Sequence, residues 1–393
     1  MKSVYLDNAA TTKVDPEVFS AMKLFFTKHF GNPSEYHKLG RKARDEIELS
    51  RKYIALYLGA KCKEIIFTSC ATESVNLAHK GLVEALRPTS LAQDKPHIIT
   101  SSIEHKAVLE SCKHLEKMGC SVTFLGVDKY GVINFQDIKK AIGTNTVLVS
   151  IMYVNNEVGT IQPIGRIGEY LRILNKERRQ KIYLHTDATQ AISYLDCKVN
   201  RLGVDLLSFT GHKINAPKGI GVLYVREKTP LIRQMDGGGQ EGNLRSGTEN
   251  VPYIVGLRKA IEVNQKSKVI SQKLITLRDR LIQGVLKIPG VKLTGHPQKR
   301  AFHIASFIVD AVEGEAMVLR LSDLGIYASS GSACTAGDLK PSHVLTAMGF
   351  SPEQSHGSIR FSLSKDTKEK DVNYLLEIFP KIVGDLRKMA PKI

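Results

Sequence analysis

Short apolar runs alternate with segments of helical periodicity between about residues 60 and 225. The apolar runs are nearly continuous in Val, Ile and Leu, which is typical of strands covered on both faces. In one intervening segment Val108, Cys112 and Leu115 recur at the i, i+4, i+7 spacing of a helix face. This alternation predicts a mostly parallel β-sheet with helices on both faces. The predicted strands are residues 64–69, 97–101, 121–127, 146–153, 181–186, 204–209 and 221–225.

The pattern changes after about residue 260. A helical stretch rich in Lys and Arg covers residues 251–286, and the β-like runs HIASFIV, GIYASS and GSIRFSL and a final amphipathic helix follow it. At about 150 residues per domain, a chain of 393 residues is expected to form two or three domains. We therefore predict a large domain over 16–260, a smaller C-terminal α/β domain over 261–393, and an N-terminal segment, 1–15, associated with the small domain.

The composition is that of a globular protein, with 42% hydrophobic and 24% charged residues. No apolar run approaches the roughly 18 residues of a membrane-spanning helix, so no membrane association is predicted. The opening MKSVYLDNAATT has no apolar core, and a signal peptide is not expected.

The formal net charge is +17, from 56 Lys and Arg against 39 Asp and Glu. Such a charge is compatible with nucleic acid or with anionic ligands. The densest basic stretch, RILNKERRQK, has no interleaved aromatic residues. We therefore expect a basic solvated surface and no direct nucleic-acid binding.

The cysteines do not form a metal or disulfide pattern. None of the six belongs to a CxxC pair, and the histidines do not cluster with them at metal-ligand spacing, so no resident metal is predicted. Scattered thiols in a chain of this length suit a reducing compartment, which predicts a cytoplasmic protein. The six are Cys62, Cys70, Cys112, Cys120, Cys197 and Cys334.

Polar residues follow five successive predicted strands. Ligands of open parallel sheets bind beyond the carboxyl ends of the strands, so these groups are expected to meet. There is no P-loop and no GxGxxG at a strand–helix turn, which disfavours nucleotide hydrolysis and dinucleotide binding. The polar groups lie at residues 70–73, 104–106, 155–157, 187–190 and 210–213.

Together these strand ends describe a site for pyridoxal 5′-phosphate (PLP). The start of a helix at SCATES suits a phosphate, although a plain N-cap is the favoured explanation when this feature is taken alone. Lys213 follows a buried strand and could form a Schiff base, and Asp187 could pair with a pyridinium nitrogen. His105 could stack on the ring. Taken singly, a surface lysine, an Asx turn and a helix cap remain the alternatives.

Two glycine-rich segments add to the site. Residues 237–250, GGGQEGNLRSGTEN, suit an anion site better than a flexible linker. Cys334 lies among Gly, Ser and Ala in SSGSACT, which predicts an accessible and reactive thiol, with an incidental loop cysteine as the alternative.

Over essentially its whole length the sequence resembles the cysteine desulfurases of the NifS/IscS type, in the class V aminotransferase group. The resemblance implies PLP fold type I: a large domain with a mostly parallel sheet and helices on both faces, and a smaller C-terminal α/β domain. The long SSGSAC loop is similar to that of the first of the family's two groups. The matching motifs are YLDNAATT, GNPS, ATES, EHKAVL, VNNEVG, DATQ, GHK, PKGIG, GGGQE, RSGT, SSGSACT and SIRFSL.

The resemblance implies a role for each matching residue. Lys213 matches the lysine that holds PLP, Asp187 the partner of its pyridine nitrogen, and His105 the stacking residue, which also assists proton transfer. Thr248 matches a phosphate ligand donated by the other subunit, which implies a homodimer. The residues that match the phosphate cup are Ala71, Thr72, Thr210 and His212, and those that match the surroundings of the phenolic oxygen are Asn156 and Gln190.

The implied reaction is the conversion of L-cysteine to L-alanine. Arg360, assisted by Asn156, matches the clamp for the substrate carboxylate. Cys334 matches the cysteine that receives sulfur as a persulfide and passes it on, and it could transiently ligate an iron–sulfur cluster. An iron–sulfur scaffold, a tRNA-thiolation protein and a carrier of cofactor biosynthesis are all open as sulfur acceptors.

Three departures from the family pattern and three alternatives stand beside this interpretation. Cys70 stands where the family usually has Gly, Gly242 stands where it usually has Arg, and Ala216 stands where it usually has Gly. One alternative is another enzyme of the same fold, either a selenocysteine lyase or an aminotransferase acting on alanine or serine. The others are a non-catalytic relative that binds PLP structurally, and a basic nucleic-acid-binding protein.

Overall fold

The computed structural model describes residues 3–86, 95–265, 268–331 and 340–389. The strands are β1 (Val4–Tyr5), β2 (Ile65–Thr68), β3 (His97–Ser101), β4 (Ser121–Leu125), β5 (Thr146–Ser150), β6 (Tyr183–Asp187), β7 (Leu206–Thr210), β8 (Gly221–Val225), β9 (Val291–Leu293), β10 (Ile304–Val309), β11 (Ile326–Tyr327) and β12 (Ser358–Ser362).

The helices cover both faces of the sheets. They are α1 (Pro16–Thr27), α2 (Lys38–Leu58), α3 (Ala71–Ala85), α4 (Lys106–Lys117), α5 (Phe135–Ala141), α6 (Ile164–Leu174), α7 (Val199–Leu202), α8 (Val251–Gln265), α9 (Lys268–Val285), α10 (Gly314–Asp323), α11 (His343–Ala347), α12 (Pro352–His356) and α13 (Glu369–Met389).

The largest sheet has the strand order β2-β8-β7-β6-β5-β3-β4. Strand β8 runs antiparallel to both its neighbours, and the other strands run parallel to one another. The ends of β2, β3, β5, β6 and β7 therefore lie at one edge of the sheet. The predicted α/β class with a mostly parallel sheet is confirmed.

Every residue of strands β2, β3 and β5 to β8 is buried, which explains their continuous apolar runs. Side chains of α1, α2, α6 and α8 pack with the sheet in one apolar cluster, and those of α3 and α4 pack in another. Val108, Cys112 and Leu115 lie in the second cluster, so the predicted helix face points into the core.

A separate core lies around the antiparallel sheet β12-β10-β9. Phe307 and Phe361 of this sheet pack with Phe379 of α13. Val4 and Leu6 of the N-terminal segment belong to the same cluster, because β1 pairs with β11. The ranges 1–15, 16–260 and 261–393 given above for the domains remain predictions.

Several element bounds differ from the predicted ones. Strands β4 and β5 end at Leu125 and Ser150, two and three residues early, and the helical stretch 251–286 is two helices, α8 and α9. Strands β1 and β9 were not predicted, because two or three residues carry no readable alternation. Among the described residues, no helix has both the length and the apolar character to cross a membrane.

Candidate active site

A cavity of about 240 Å³ opens at the edge of the sheet where the parallel strands end. Residues at and after the ends of β2, β3, β5, β6 and β7 line it, and the N-terminal segment, the residues after β11, and β12 contribute the rest. The lining residues are Ala9, Ala10, Cys70, Ala71, Thr72, His105, Ala107, Met152, Val154, Asn156, Asp187, Thr189, Gln190, Thr210, His212, Lys213, Ser329, Gly331 and Arg360.

Lys213 lies in a single helical turn directly after β7. Its Nζ donates to the carbonyl oxygens of Ala9, at 2.7 Å, and Ala10, at 2.6 Å. The backbone N–H and hydroxyl of Thr12 both donate to the carbonyl of His212, at 2.8 and 2.9 Å. The N-terminal segment therefore holds the turn that carries the lysine.

Asp187 ends β6 and is 7% exposed. Its Oδ1 accepts a hydrogen bond from the backbone N–H of Thr189 at 2.9 Å, which fixes the carboxylate at the cavity wall. A buried carboxylate beside an amine and an imidazole can hold a proton on a heteroaromatic nitrogen.

His105 caps helix α4, and its Nδ1 accepts the backbone N–H of Ala107 at 3.1 Å. Burial lowers its pKa; Asp187 opposes this shift, and the positive charge of Lys213 reinforces it. The imidazole is therefore neutral near neutral pH. Because Nδ1 is an acceptor, the proton of the neutral ring belongs on Nε2.

The first residues of α3, Ala71 and Thr72, line the cavity. The free N–H groups of this helix terminus suit an anion. The Sγ of Cys70 caps the helix by accepting the N–H of Glu73 at 3.5 Å. Burial, with Lys213 and Lys218, lowers the pKa of His212 to about 4. The Thr210 hydroxyl donates to the carbonyl of Ile220 at 3.0 Å.

Arg360, on β12, enters the cavity from the second core. Its Nη1 donates to the carbonyl of Asn156 at 2.7 Å, and its Nη2 donates to Oδ1 of Asp7 at 3.0 Å. Within the described residues its buried Nε has no hydrogen-bond partner. A buried donor without a partner is costly, so a ligand acceptor would be favourable here.

Gln190 lies in the cavity wall but is engaged within the protein. Its Nε2 donates to the carbonyl of Ala9 at 2.9 Å, and its Oε1 lies 3.1 Å from Nε2 of His303. The amide therefore keeps one N–H of Nε2 and one lone pair of Oε1 for a ligand.

Of the other residues singled out from the sequence, one does not line this cavity and one lies outside the described residues. Thr248 is exposed and does not line the cavity of its own chain. Cys334 lies outside the described residues, although Gly331, just before that segment, lines the cavity. Of the departures, Cys70 lines the cavity and Ala216 is 1% exposed in the core.

Sequence reasoning missed the contribution of the N-terminal segment. Asp7, Ala9 and Ala10 all contact groups of the site. The run YLDNAATT is a motif of the resembled family, but polar and small residues before the first helix do not show where the chain folds back.

The side chains in the cavity fit PLP in chemical type. An amine, a carboxylate, a neutral imidazole and a helix N-terminus line one cavity. This donor set can hold an aldehyde-bearing, protonated aromatic ring together with its phosphate. The guanidinium of Arg360 adds a place for a carboxylate beside it.

Comparison with known proteins agrees with this geometry. Residues 4–375 match the aminotransferase class-V family. The chain is 47% identical to a cysteine desulfurase IscS of Methanosarcina thermophila, covering 99% of this chain and 94% of that protein. It is 45% identical to the cysteine desulfurase IscS of Dictyoglomus turgidum (strain DSM 6724 / Z-1310), covering 99% and 97%.

Solved structures give the same result. A NifS-like protein superposes with a TM-score of 0.89 at 37% identity, covering 98% of this chain and 100% of that one. The structure described as SspA in complex with cysteine has a TM-score of 0.78 at 38% identity, covering 92% and 99%. The chain therefore belongs to the class-V aminotransferase family and, within it, to the cysteine desulfurases of the NifS/IscS type.

Proposed function

We propose that this chain is a PLP-dependent enzyme that converts L-cysteine to L-alanine and passes the sulfur, as a persulfide on Cys334, to acceptor proteins such as an iron–sulfur scaffold. The convergence of Lys213, Asp187 and His105 with Arg360 in one cavity carries the proposal. When bound, PLP supplies an electron sink for a carbanion at the substrate. We also propose a cytoplasmic location.

Each side chain has a separate task in holding the cofactor. Lys213 supplies the amine, Asp187 holds a proton at the pyridine nitrogen, and the neutral ring of His105 stacks without bringing another positive charge beside Lys213. The start of α3, with Thr210 and His212, receives the phosphate. Thr248 of a second subunit completes the phosphate site, so the active form is a homodimer.

Arg360 binds the substrate carboxylate. Asp7 and the carbonyl of Asn156 already hold two of its nitrogens, so the guanidinium is oriented before the substrate arrives. A charge-assisted hydrogen bond from the unpartnered Nε would satisfy a buried donor. A fixed carboxylate in turn sets which substrate proton faces Lys213.

Lys213 and His105 move the protons. The amine of Lys213 takes the proton from the α-carbon of L-cysteine, as a general base within reach of the cavity. His105, with its proton on Nε2, offers a hydrogen bond to the reacting groups.

The sulfur step balances without an external oxidant. The thiolate of Cys334 attacks the sulfur of the substrate and forms an S–S bond, while the C–S bond of the substrate breaks. The electron pair of that bond stays with the β-carbon, which takes up a proton, and Lys213 returns a proton to the α-carbon, so that alanine is released.

The decisive experiment combines a visible spectrum with mass spectrometry of the purified protein. We expect the absorbance of bound PLP, its change on addition of L-cysteine, and a Cys334 peptide heavier by one sulfur atom. Lys213→Ala should lose the absorbance of the lysine-linked cofactor. A wild-type protein that takes up no PLP would contradict the proposal.

A pair of cysteine variants separates sulfur transfer from incidental thiol chemistry. Cys334→Ser should keep the cofactor absorbance and lose sulfide release from L-cysteine. The matched control is Cys62→Ser, which removes an exposed thiol away from the cavity and should release sulfide at the wild-type rate. Normal sulfide release by Cys334→Ser would rule out its role.

A further inference from the structure

The glycine-rich segment 237–248 contains a run of unusual backbone. Glu241, Gly242 and Asn243 have φ angles of +48°, +63° and +66°, all in the left-handed region. A residue with a Cβ reaches this region at a cost of about 1–3 kcal/mol, so Glu241 and Asn243 stay there only if other contacts hold them. The segment is therefore fixed by its surroundings.

Arg51 of helix α2 provides the strongest of these contacts. Its Nη1 and Nη2 donate to Oε2 and Oε1 of Glu241, at 2.7 and 2.8 Å, in a bidentate pair. The Glu241 side chain is 2% exposed, and its Oε2 also accepts the backbone N–H of Phe67 at 2.8 Å. The guanidinium lies 4.9 Å from the centroid of the Phe67 ring and donates to the carbonyl of Ile65. The segment is thus anchored to edge strand β2.

A further hydrogen bond connects Gln240, next to Glu241, with Gly247 near the C-terminal end of segment 237–248. The Oε1 of Gln240, next to Glu241, accepts the backbone N–H of Gly247 at 3.0 Å. A Cβ at Gly238 would lie 2.7 Å from that same Oε1, so only glycine allows Gln240 to fold back in this way. Gly247 immediately precedes Thr248. The Arg51–Glu241 pair therefore constrains the backbone next to Thr248.

A second ion pair joins the segment to the cavity. The Nε of Arg245 lies 3.0 Å from Oε1 of Glu73, in the first turn of α3. The other oxygen of Glu73 accepts the N–H of Ser69 at 2.6 Å. Thr248 extends from this double attachment with an exposed side chain. A rigid segment that ends in an exposed hydroxyl is suited to present that hydroxyl to another molecule.

We propose that Arg51 and Glu241 are positioning residues, which hold segment 237–248 so that the hydroxyl of Thr248 reaches the phosphate end of the cavity in a second copy of this chain. The inference rests on the proposed function, since it takes PLP as the ligand and Thr248 as the partner's contribution. An ordered segment avoids the entropy cost of fixing Thr248 on binding, which is the usual gain from preorganisation.

The test measures the dissociation constant of PLP from the cofactor-free full-length protein, by visible titration and equilibrium dialysis. Thr248→Val, Glu241→Gln and Arg51→Lys should each raise this constant, by roughly tenfold, the effect of one lost hydrogen bond to a charged group. Arg51→Lys keeps the positive charge but cannot form the bidentate pair with Glu241. This variant therefore remains informative if Glu241→Gln folds poorly.

A double-mutant cycle distinguishes positioning from general stability. If Glu241 acts through Thr248, then Glu241→Gln should have no further effect on PLP binding in the Thr248→Val background. A purely structural role would weaken binding by the same factor in both backgrounds, and that result would overturn the proposal.

The chain offers a matched control at Asp205. This carboxylate, 9% exposed, lies 2.7 Å from Nζ of Lys181 and accepts the backbone N–H of Leu184 at 3.0 Å. It therefore resembles Glu241 in its contacts, but it does not touch segment 237–248. Asp205→Asn should leave the PLP dissociation constant within about twofold of wild type. A loss as large as that of Glu241→Gln would overturn the inference.

The remaining outcomes separate this inference from the proposed function. If Thr248→Val weakens PLP binding and Glu241→Gln does not, the positioning role is wrong and the proposed function stands. If the wild-type protein takes up no PLP, the proposed function fails, and the inference with it.

Discussion

At the scale of single residues, the least usual group near the cavity is the carboxyl of Glu104. It is fully buried, and among the described residues it has no ion-pair partner. The Ser101 hydroxyl donates to Oε1 at 2.6 Å, and the backbone N–H of Met152 donates to the same oxygen at 2.9 Å. Burial, helped by the charge of Asp187, raises the pKa of Glu104 to about 8. The group therefore prefers to be protonated in the folded protein.

This shift predicts a pH-dependent stability. Between pH 4.5, the ordinary pKa, and pH 8 the folded protein binds the proton more tightly than the unfolded chain does. The stabilisation that protonated Glu104 contributes to the folded state is therefore complete below pH 4.5. It decreases as the pH rises above 4.5 and is lost once the pH passes about 8. Glu104→Gln mimics the protonated form, so its free energy of unfolding should improve relative to wild type by on the order of a few kcal/mol between pH 5 and 9.

Urea denaturation of both proteins at several pH values gives the measurement. Glu116→Gln, an exposed position on α4, is the control and should differ from wild type by the same amount at each pH. A Glu104→Gln difference that also stays constant from pH 5 to 9 would mean that Glu104 is ionised throughout.

At the scale of helices and strands, close packing fixes how the connections lie against the sheet. Helix α6 contacts the end of α7 through Gly168, where an added Cβ would lie 2.1 Å from the carbonyl oxygen of Leu202. Both partners at this contact are backbone, so neither can rotate away. Gly384 in α13 is the opposite case, because a Cβ there would meet nothing within 4 Å.

The two helical glycines therefore predict opposite effects of the same substitution. Gly168→Ala should lower the free energy of unfolding by about 2 kcal/mol or more, since the helices must separate. Gly384→Ala should raise it by about 1 kcal/mol, because alanine favours the helix and meets no obstacle. Thermal or urea unfolding compares both variants with wild type. An equal effect of the two substitutions would contradict the packing argument.

At the scale of the whole molecule, the N-terminal segment joins the two cores at the cavity. Val4 and Leu6 pack in the second core, while the carbonyls of Ala9 and Ala10 receive Lys213 beside the first. Between them, Asp7 pairs with Arg360 of β12. The segment therefore contacts both cores and also Lys213 and Arg360 of the proposed site. These contacts couple folding of the chain to assembly of the site.

Removing the charge of Asp7 should therefore impair substrate binding more than cofactor binding. Asp7→Asn loosens Arg360 without touching the cavity's phosphate end, so the KM for L-cysteine should rise roughly tenfold while the PLP dissociation constant stays near wild type. Steady-state kinetics with L-cysteine and a PLP titration measure the two quantities.

Asp15→Asn provides the control for this prediction. Asp15 lies in the same part of the chain and pairs with Lys365, so its substitution also breaks a contact with the C-terminal region. Asn keeps the capping of α1, and the pair lies outside the cavity lining. The KM of Asp15→Asn should match wild type. An equal rise in both variants would assign the effect to general loosening of the segment.

The sequence alone determined the sheet and the residues at its edge. Strands β2 to β8 were predicted because buried parallel strands are continuous in apolar residues, which is a local signal. Once the strands are parallel, Thr72, His105, Asp187 and Lys213 have to share one edge. These four residues therefore come close together because the strands before them run in the same direction. This can be predicted without knowing how the side chains pack.

Only the tertiary structure decided the contacts between residues far apart in the chain. Arg360 is paired with Asp7, 353 positions away, and Arg51 with Glu241, 190 positions away, and no periodicity links such partners. Strand β1 is two residues long and exists because β11 lies beside it. A strained backbone such as that at Glu241 is likewise stable only because its surroundings hold it, so local sequence preferences cannot reveal it.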